Sequence, residues 1–165
     1  MQLRKLLITD EVSYREYVKS WKSEKIVPTS SNFNKNPYRD FLQQLIKAEE
    51  GMDQWVPSET YFLFLEENEI AGAINCRYQL NDQLKYIGGH IGYGISPEHR
   101  RKGLAQLMLG KVLPLFKERG IERILLTAND DNVGSVQVIL NHYGKRASSG
   151  IEESGKTFGR YWITI

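Results

Sequence analysis

Residues 88–106 read GGHIGYGISPEHRRKGLAQ, a run whose glycines and cations together ask for a specific local geometry. Four glycines in the nine residues 88–96 precede His99, Arg100, Arg101 and Lys102, and a helix-forming stretch then opens through Gly103. Glycine weakens a strand and marks a bulge or a close approach. Cations at a helix start are unfavourable, because the N-terminus of a helix already carries partial positive charge. An anion resting on the turn would relieve both oddities. A glycine-rich turn from strand to helix exposes backbone N–H groups around such an anion. Gly103 and Ala105 keep the first helical turn small enough for a phosphate to touch the main chain. A nucleotide-hydrolysing P-loop is disfavoured, since no Gly-Lys-Ser/Thr follows at the required spacing. A solvated basic helix start is the plainer alternative.

Period-2 alternation places His90, Gly92, Gly94 and Ser96 on one face of this strand and Ile91, Tyr93 and Ile95 on the other. The glycine face would form a bare strip along which an extended ligand could lie and reach the turn. A bulge would shift this register.

The rest of the chain sets the frame. Its 165 residues suit one domain spanning 1–165 with a sizeable core. The formal net charge of +2 argues against a dedicated nucleic-acid binder. The charge is uneven: residues 1–85 hold 11 Lys+Arg against 13 Asp+Glu, whereas residues 86–165 hold 11 against 7. Twelve of the 14 glycines also lie after residue 87, so the C-terminal half is the place to look for chemistry. No apolar run reaches the roughly 20 residues that span a bilayer, and the N-terminus lacks a signal-peptide pattern. A cytoplasmic protein is expected, with no membrane partner. One cysteine, Cys76, excludes an internal disulfide and a cysteine-built metal site, and no metal is expected.

Periodicity divides the chain into elements. LRKLLI (3–8) reads as a first strand, and Thr9 or Asp10 caps a helix to about Lys22 with Tyr14, Tyr17, Val18 and Trp21 on one face. Pro37 opens a second helix striped by Tyr38, Phe41, Leu42 and Leu45. Residues 23–36 and 51–58 read as connectors. Residues 60–80 read as two strands joined at Glu67-Asn68, and a third strand covers about Gly89–Ile95. Residues 103–120 form a helix ended by Gly120, and RILLTA (123–128) is a buried strand. Asp131 or Asn132 caps a short helix with Val136, Ile139, Leu140 and Tyr143 inward, and residues 145–165 close as a hairpin. The order is β-α-α-β-β-β-α-β-α-β-β. That is a single mixed α/β (α+β) domain with a central, mostly antiparallel sheet flanked by helices.

Two segments carry a family resemblance. IGYGISPEHRRKGLA resembles the signature of the GNAT (Gcn5-related N-acetyltransferase) superfamily, Arg/Gln-x-x-Gly-x-Gly/Ala after a strand, matched at Arg100, Gly103 and Ala105. NDDNVGSVQVI (129–139) resembles the next family segment, Asn-x-x-Ser/Ala at a helix start, matched at Asn132 and Ser135. These segments and the closing GRYWITI are similar to a bacterial subgroup of predicted acetyltransferases. The resemblance covers residues 60–165 well and the N-terminal third in outline.

The resemblance implies acetyl-CoA as co-substrate. Its pyrophosphate would sit on the turn matching Arg100, Arg101, Lys102, Gly103, Leu104 and Ala105. Its pantetheine arm would pair with the backbone matching Tyr93, Gly94 and Ile95, and Asn132 and Ser135 would contact its other side. The family often carries a glutamate base on this strand; the matching position here is His90, whose side chain titrates near neutrality. A core histidine is the alternative. Family members often place a tyrosine, the thiolate's proton donor, where this chain has Ile139. Tyr143, one turn on, is the expected substitute, with Tyr93 and Tyr161 behind it, unless positioning alone suffices.

The implied reaction is acetyl transfer to a primary amine by direct attack on the thioester. The alternative is a CoA-binding sensor of the same fold without turnover. A polyanion binder would show steeply salt-dependent oligonucleotide binding. Arg77 would either anchor an acidic acceptor group or face solvent, the latter slightly favoured by the strand's polar face. Cys76 reads as a small core residue, and Trp21, Trp55 and Trp162 as core or cleft wall. Glu98 and His99 read as cofactor-adjacent or solvated. The connectors at 23–36 and 51–58 stand where family members form the acceptor site. An exposed edge of the closing hairpin offers a surface for a homodimer.

Overall fold

A computed structural model of the chain describes residues 1–32, 37–51 and 55–165. The elements are β1 (Gln2–Arg4), α1 (Glu11–Ser20), α2 (Tyr38–Glu50), β2 (Ser58–Phe64), β3 (Ile70–Arg77) and α3 (Asp82–Tyr86). Then come β4 (Ile91–Ile95), α4 (Leu104–Glu118), β5 (Arg123–Asn129), α5 (Val133–Asn141), β6 (Lys145–Ile151) and β7 (Thr157–Thr164). The order is the expected one with one addition, α3. That helix has five residues, too few for a periodic stripe, and Asn81 caps it by accepting the Leu84 N–H at 2.9 Å.

The strands run β1-β2-β3-β4 in one sheet and β5-β7-β6 in the other. Every named pair is antiparallel. A single-residue bridge between Gly89 and Leu126 ties the sheets together. The architecture is mixed α/β, a central antiparallel arrangement flanked by helices.

Alternation along the strands feeds two apolar clusters. α1 and α2 cover one with Tyr14, Tyr17, Trp21 and Phe41 against Phe62 and Phe64 of β2. α4 and α5 cover the other with Met108, Val112, Phe116 and Ile139 against Ile74, Ile91 and Leu126. Each such large side chain contributes about 1.5–3 kcal/mol when fully buried. Among the described residues, no helix is long and apolar enough to cross a membrane.

Three expectations need correction. The first strand stops at Arg4, because Arg4 grips Asp10 through two hydrogen bonds of 2.6 and 2.8 Å. Asp10 also accepts the Leu7 N–H at 2.7 Å, so residues 8–10 form a turn that leaves Leu7 and Ile8 exposed. In α5, Ile139 is buried but Leu140 is exposed, and Tyr143 stands 86% exposed at φ 61° beyond the helix end. The helix ends two residues earlier, so the side chain of Tyr143 leaves the inward stripe. Trp55 is exposed rather than part of a wall, whereas Trp21 is core as expected.

Candidate functional site

The two sheets meet at Gly89 and separate immediately beyond it. His90 N–H donates to the Leu125 carbonyl at 2.7 Å, and Leu125 N–H donates back to His90 Nδ1 at 2.8 Å. A Cβ on Gly89, at φ 62°, would lie 2.3 Å from the Leu125 carbonyl oxygen, so only glycine allows this contact.

Past the bridge, one edge of β4 is open. Arg77 N–H donates to the His90 carbonyl at 2.8 Å, and Ser96 N–H donates to the Ala71 carbonyl at 2.9 Å. Alternate residues of an antiparallel strand address a given neighbour. The His90 carbonyl and Gly92, Gly94 and Ser96 therefore bond to β3, and Tyr93 and Ile95 aim their backbone groups at the opposite edge. No described strand pairs with β4 on that edge.

The glycine face is not the bare strip that alternation suggests. Residues Val27 and Pro28 cover it: a Cβ on Gly94 would lie 2.2 Å from the Val27 carbonyl oxygen. Gly94 admits a segment of this chain, whereas a Cβ on Gly92 would meet only ordinary contacts; next to the turn the edge, not the face, is the free surface. His90 also leaves the alternation, because its ring packs edge-on to Phe116 of α4 at 5.8 Å between centroids.

The open edge leads into the basic turn. Arg101 has φ 64° and Gly103 φ 74°, and α4 starts at Leu104 with no side-chain cap. Left-handed residues beside right-handed ones converge successive N–H groups into an anion-binding concavity. A Cβ on Gly103 would meet nothing within 4 Å, so the mouth of this concavity is open. The three cations divide. Arg101 and Lys102 are exposed and have no ion-pair partner among the described residues. Arg100 folds back: its Nε donates to the Ile95 carbonyl at 3.0 Å and its Nη2 reaches Glu24 at 2.6 Å. His99 is buried, not solvated, with Nε2 3.0 Å from Glu69.

Across the gap stands the start of α5. Asn132 Oδ1 accepts the Ser135 N–H at 3.1 Å, so Asn132 is the cap. The Tyr93 hydroxyl lies 2.9 Å from Ser135 Oγ, which brings Tyr93, Asn132 and Ser135 together. Burial pushes the Tyr93 phenol up to about 12. Tyr143 is not in this group.

His90 is placed at the closed end of the gap, but its chemistry differs from that of a free base. The Leu125 amide occupies the Nδ1 lone pair, which leaves the proton on Nε2. Burial holds the ring's pKa down at about 4. A protonated ring would have to give up its bond to Leu125.

Arg77 is more deeply placed than its strand position suggests. Its Nη1 donates to the carbonyls of Gly89 at 2.9 Å and Gly88 at 3.3 Å, and burial lowers its pKa. Cys76 is fully buried and burial pushes its thiol up, as befits a core residue. A groove against α1 holds Glu16, Lys19, Lys22, Glu98 and His99, but these charges are paired within the chain. Of the two connectors expected near an acceptor, residues 33–36 and 52–54 lie outside the described residues.

Comparison with known proteins agrees with this fold. No curated protein is similar enough in sequence to count as a relative of this chain. A GNAT-family acetyltransferase from Streptococcus pneumoniae shares its fold at a TM-score of 0.70 with 18% identity, covering 99% of each chain. Ribosomal-protein-S5-alanine acetyltransferase from Vibrio fischeri gives a TM-score of 0.72 with 15% identity, over 99% of this chain and 92% of that one. A dodecameric spermidine N-acetyltransferase from Vibrio cholerae gives 0.69 with 15% identity, over 99% and 92%. The family model itself matches residues 19–144, well over half the length: the chain belongs to the acetyltransferase (GNAT) family.

Proposed function

We propose that this chain is an acetyl-CoA-dependent N-acetyltransferase acting on a primary amine. The observation that carries this reading is the unpaired edge of β4 running into the uncapped, cation-flanked start of α4. Arg101, Lys102 and the N–H groups of Gly103, Leu104 and Ala105 would hold the pyrophosphate. The edge at Tyr93 and Ile95 would pair with the extended arm, and Asn132 and Ser135 would stand on its far side. Arg100 would act indirectly, by fixing the Ile95 carbonyl. The structural neighbours named for spermidine and for a ribosomal-protein alanine support an amine acceptor.

Acetyl-CoA supplies an activated acyl group as a thioester. The amine nitrogen bonds to the acetyl carbon while the carbon–sulfur bond breaks, and N–H groups on the β4 edge would polarise the carbonyl. A lysine-like amine, with pKa about 10.4, must lose a proton first. We assign that proton to water at the mouth rather than to His90, whose lone pair is engaged. The sulfur would take its proton from the Tyr93 hydroxyl at the gap, and the proton that the amine gives to water would restore the phenol. A homodimer across the exposed edge strand β6, in a bacterial cytoplasm, completes the reading.

Calorimetric titration with acetyl-CoA, followed by thiol release against an amine panel, tests it. Binding with release supports the enzyme; no binding overturns it. A CoA sensor without turnover is the second reading, favoured by one observation: Ile139, at the position where the family often has its tyrosine, is fully buried. Binding without release to any amine would select it.

A further inference from the structure

Arg77 carries an unspent hydrogen-bonding fork at the closed end of the gap. Nη1 is committed to the Gly88 and Gly89 carbonyls. Nε and Nη2 bond to no described residue, yet neither is sealed from solvent. No acid partners this guanidinium among the described residues; the charged and titratable groups facing it are Cys76 and His90. A largely buried cation without a counter-charge is costly. A guanidinium offers its Nε and Nη2 edge as a planar fork that matches a carboxylate with two parallel bonds.

The Nη2 edge of that fork is not covered by a side chain from β4. A Cβ on Gly92 would lie 3.4 Å from Nη2 and 3.7 Å from the Pro28 Cβ. With glycine there, about one carbon's width beside Nη2 stays unfilled. The position also matters. The bridge between Gly89 and Leu126 closes the gap, so a ligand arm entering from Gly103 and following the β4 edge must end there. Arg77 is bonded to that same turn.

We infer that Arg77 binds a carboxylate on the acceptor, so the acceptor is an amine that also carries a carboxylate, either a free amino acid or the acidic end of a peptide. A polyamine lacks this group and would meet a buried cation. The inference rests on the acetyltransferase reading for the amine, while the carboxylate subsite is tested by binding alone.

The experiment is ligand-observed NMR binding of free amino acids, short peptides with a free C-terminus, and the carboxamide of each, to the wild type and to Arg77→Gln and Arg77→Lys. Thiol release from acetyl-CoA is followed in parallel. The expected result is that carboxylates bind about tenfold to a hundredfold better than their amides, and that Arg77→Gln removes this preference while leaving acetyl-CoA affinity unchanged. Arg77→Lys, which keeps the charge and loses the fork, retains part of the preference and serves if the glutamine variant does not fold. Preference for the free amino acid or for the peptide identifies the source. Equal binding of acids and amides to the wild type, or an undiminished preference in a folded Arg77 variant, overturns the inference. Carboxylate binding through Arg77 without thiol release upholds the subsite and counts against the transferase.

Discussion

Nδ1 of His90 accepts the Leu125 amide at 2.8 Å, so a side chain stands in for a strand neighbour where β4 and β5 part. The bond links residues 35 positions apart and closes the end of the gap. Burial keeps the ring neutral in the folded state, with a pKa of about 4 against about 6.5 in an unfolded chain. Between these values the unfolded state takes up the proton that the folded state refuses. Stability is therefore full above pH 6.5 and falls as the pH drops toward 4, by up to about 3 kcal/mol. His90→Asn keeps an acceptor near Nδ1 and removes the titration. Urea unfolding at pH 7 and pH 4.5 is expected to show a smaller loss in the variant than in the wild type; an equal loss would show that His90 is not the group responsible.

Gly103 sits at φ 74° with open space where a Cβ would point. Gly103→Val should cost about 1–2 kcal/mol in backbone strain while filling the mouth of the concavity. The expected outcome is a folded protein, by circular dichroism, whose acetyl-CoA affinity falls at least about tenfold. Unchanged affinity would remove the cradle.

The cations on the turn should separate in their effects. Arg101 and Lys102 have no partners within the described residues, so changing both to Ala should leave Tm unmoved. Their loss should weaken acetyl-CoA binding at low salt and matter less at 1 M, where screening shortens the reach of charge to about 3 Å. Arg100→Ala also breaks the bonds to Ile95 and Glu24 and should lower Tm. Calorimetry at two salt concentrations and thermal melts together check both statements.

Tyr93→Phe removes the hydroxyl that meets Ser135 and leaves the ring in place. If that hydroxyl protonates the leaving sulfur, kcat should fall about 10²–10⁴-fold with little change in acetyl-CoA affinity. Equal kcat in the two proteins would leave the proton to water.

Gly94→Ala would set a methyl 2.2 Å from the Val27 carbonyl oxygen. Backbone cannot yield cheaply there, and overpacking of this kind costs about 1–3 kcal/mol. A drop in unfolding free energy is expected; a neutral result would mean that residues 27–28 do not rest on β4.

What sequence by itself determined here was local. Tyr14, Tyr17 and Trp21 fall on one side of a helix because a helix repeats every 3.6 residues, and they are buried together. The strand, the basic turn and the start of α4 are contiguous, so the glycine-rich turn could be read from Gly94 to Ala105, whereas Asn132 and Ser135 entered the site only through the family resemblance. The tertiary structure decided the partners. Glu24 takes Arg100 from 76 residues away, Val27 covers Gly94, and Leu125 takes the lone pair of His90. Tyr143 lost its inward place because α5 ended at Asn141 and a left-handed residue followed. Arg77 reads as a polar interruption in a strand until Gly88 and Gly89 fold onto its Nη1. Periodicity and spacing constrain which side of an element a residue faces. Which hydrogen bond or charge it then meets depends on chain segments distant in sequence, which no local pattern specifies.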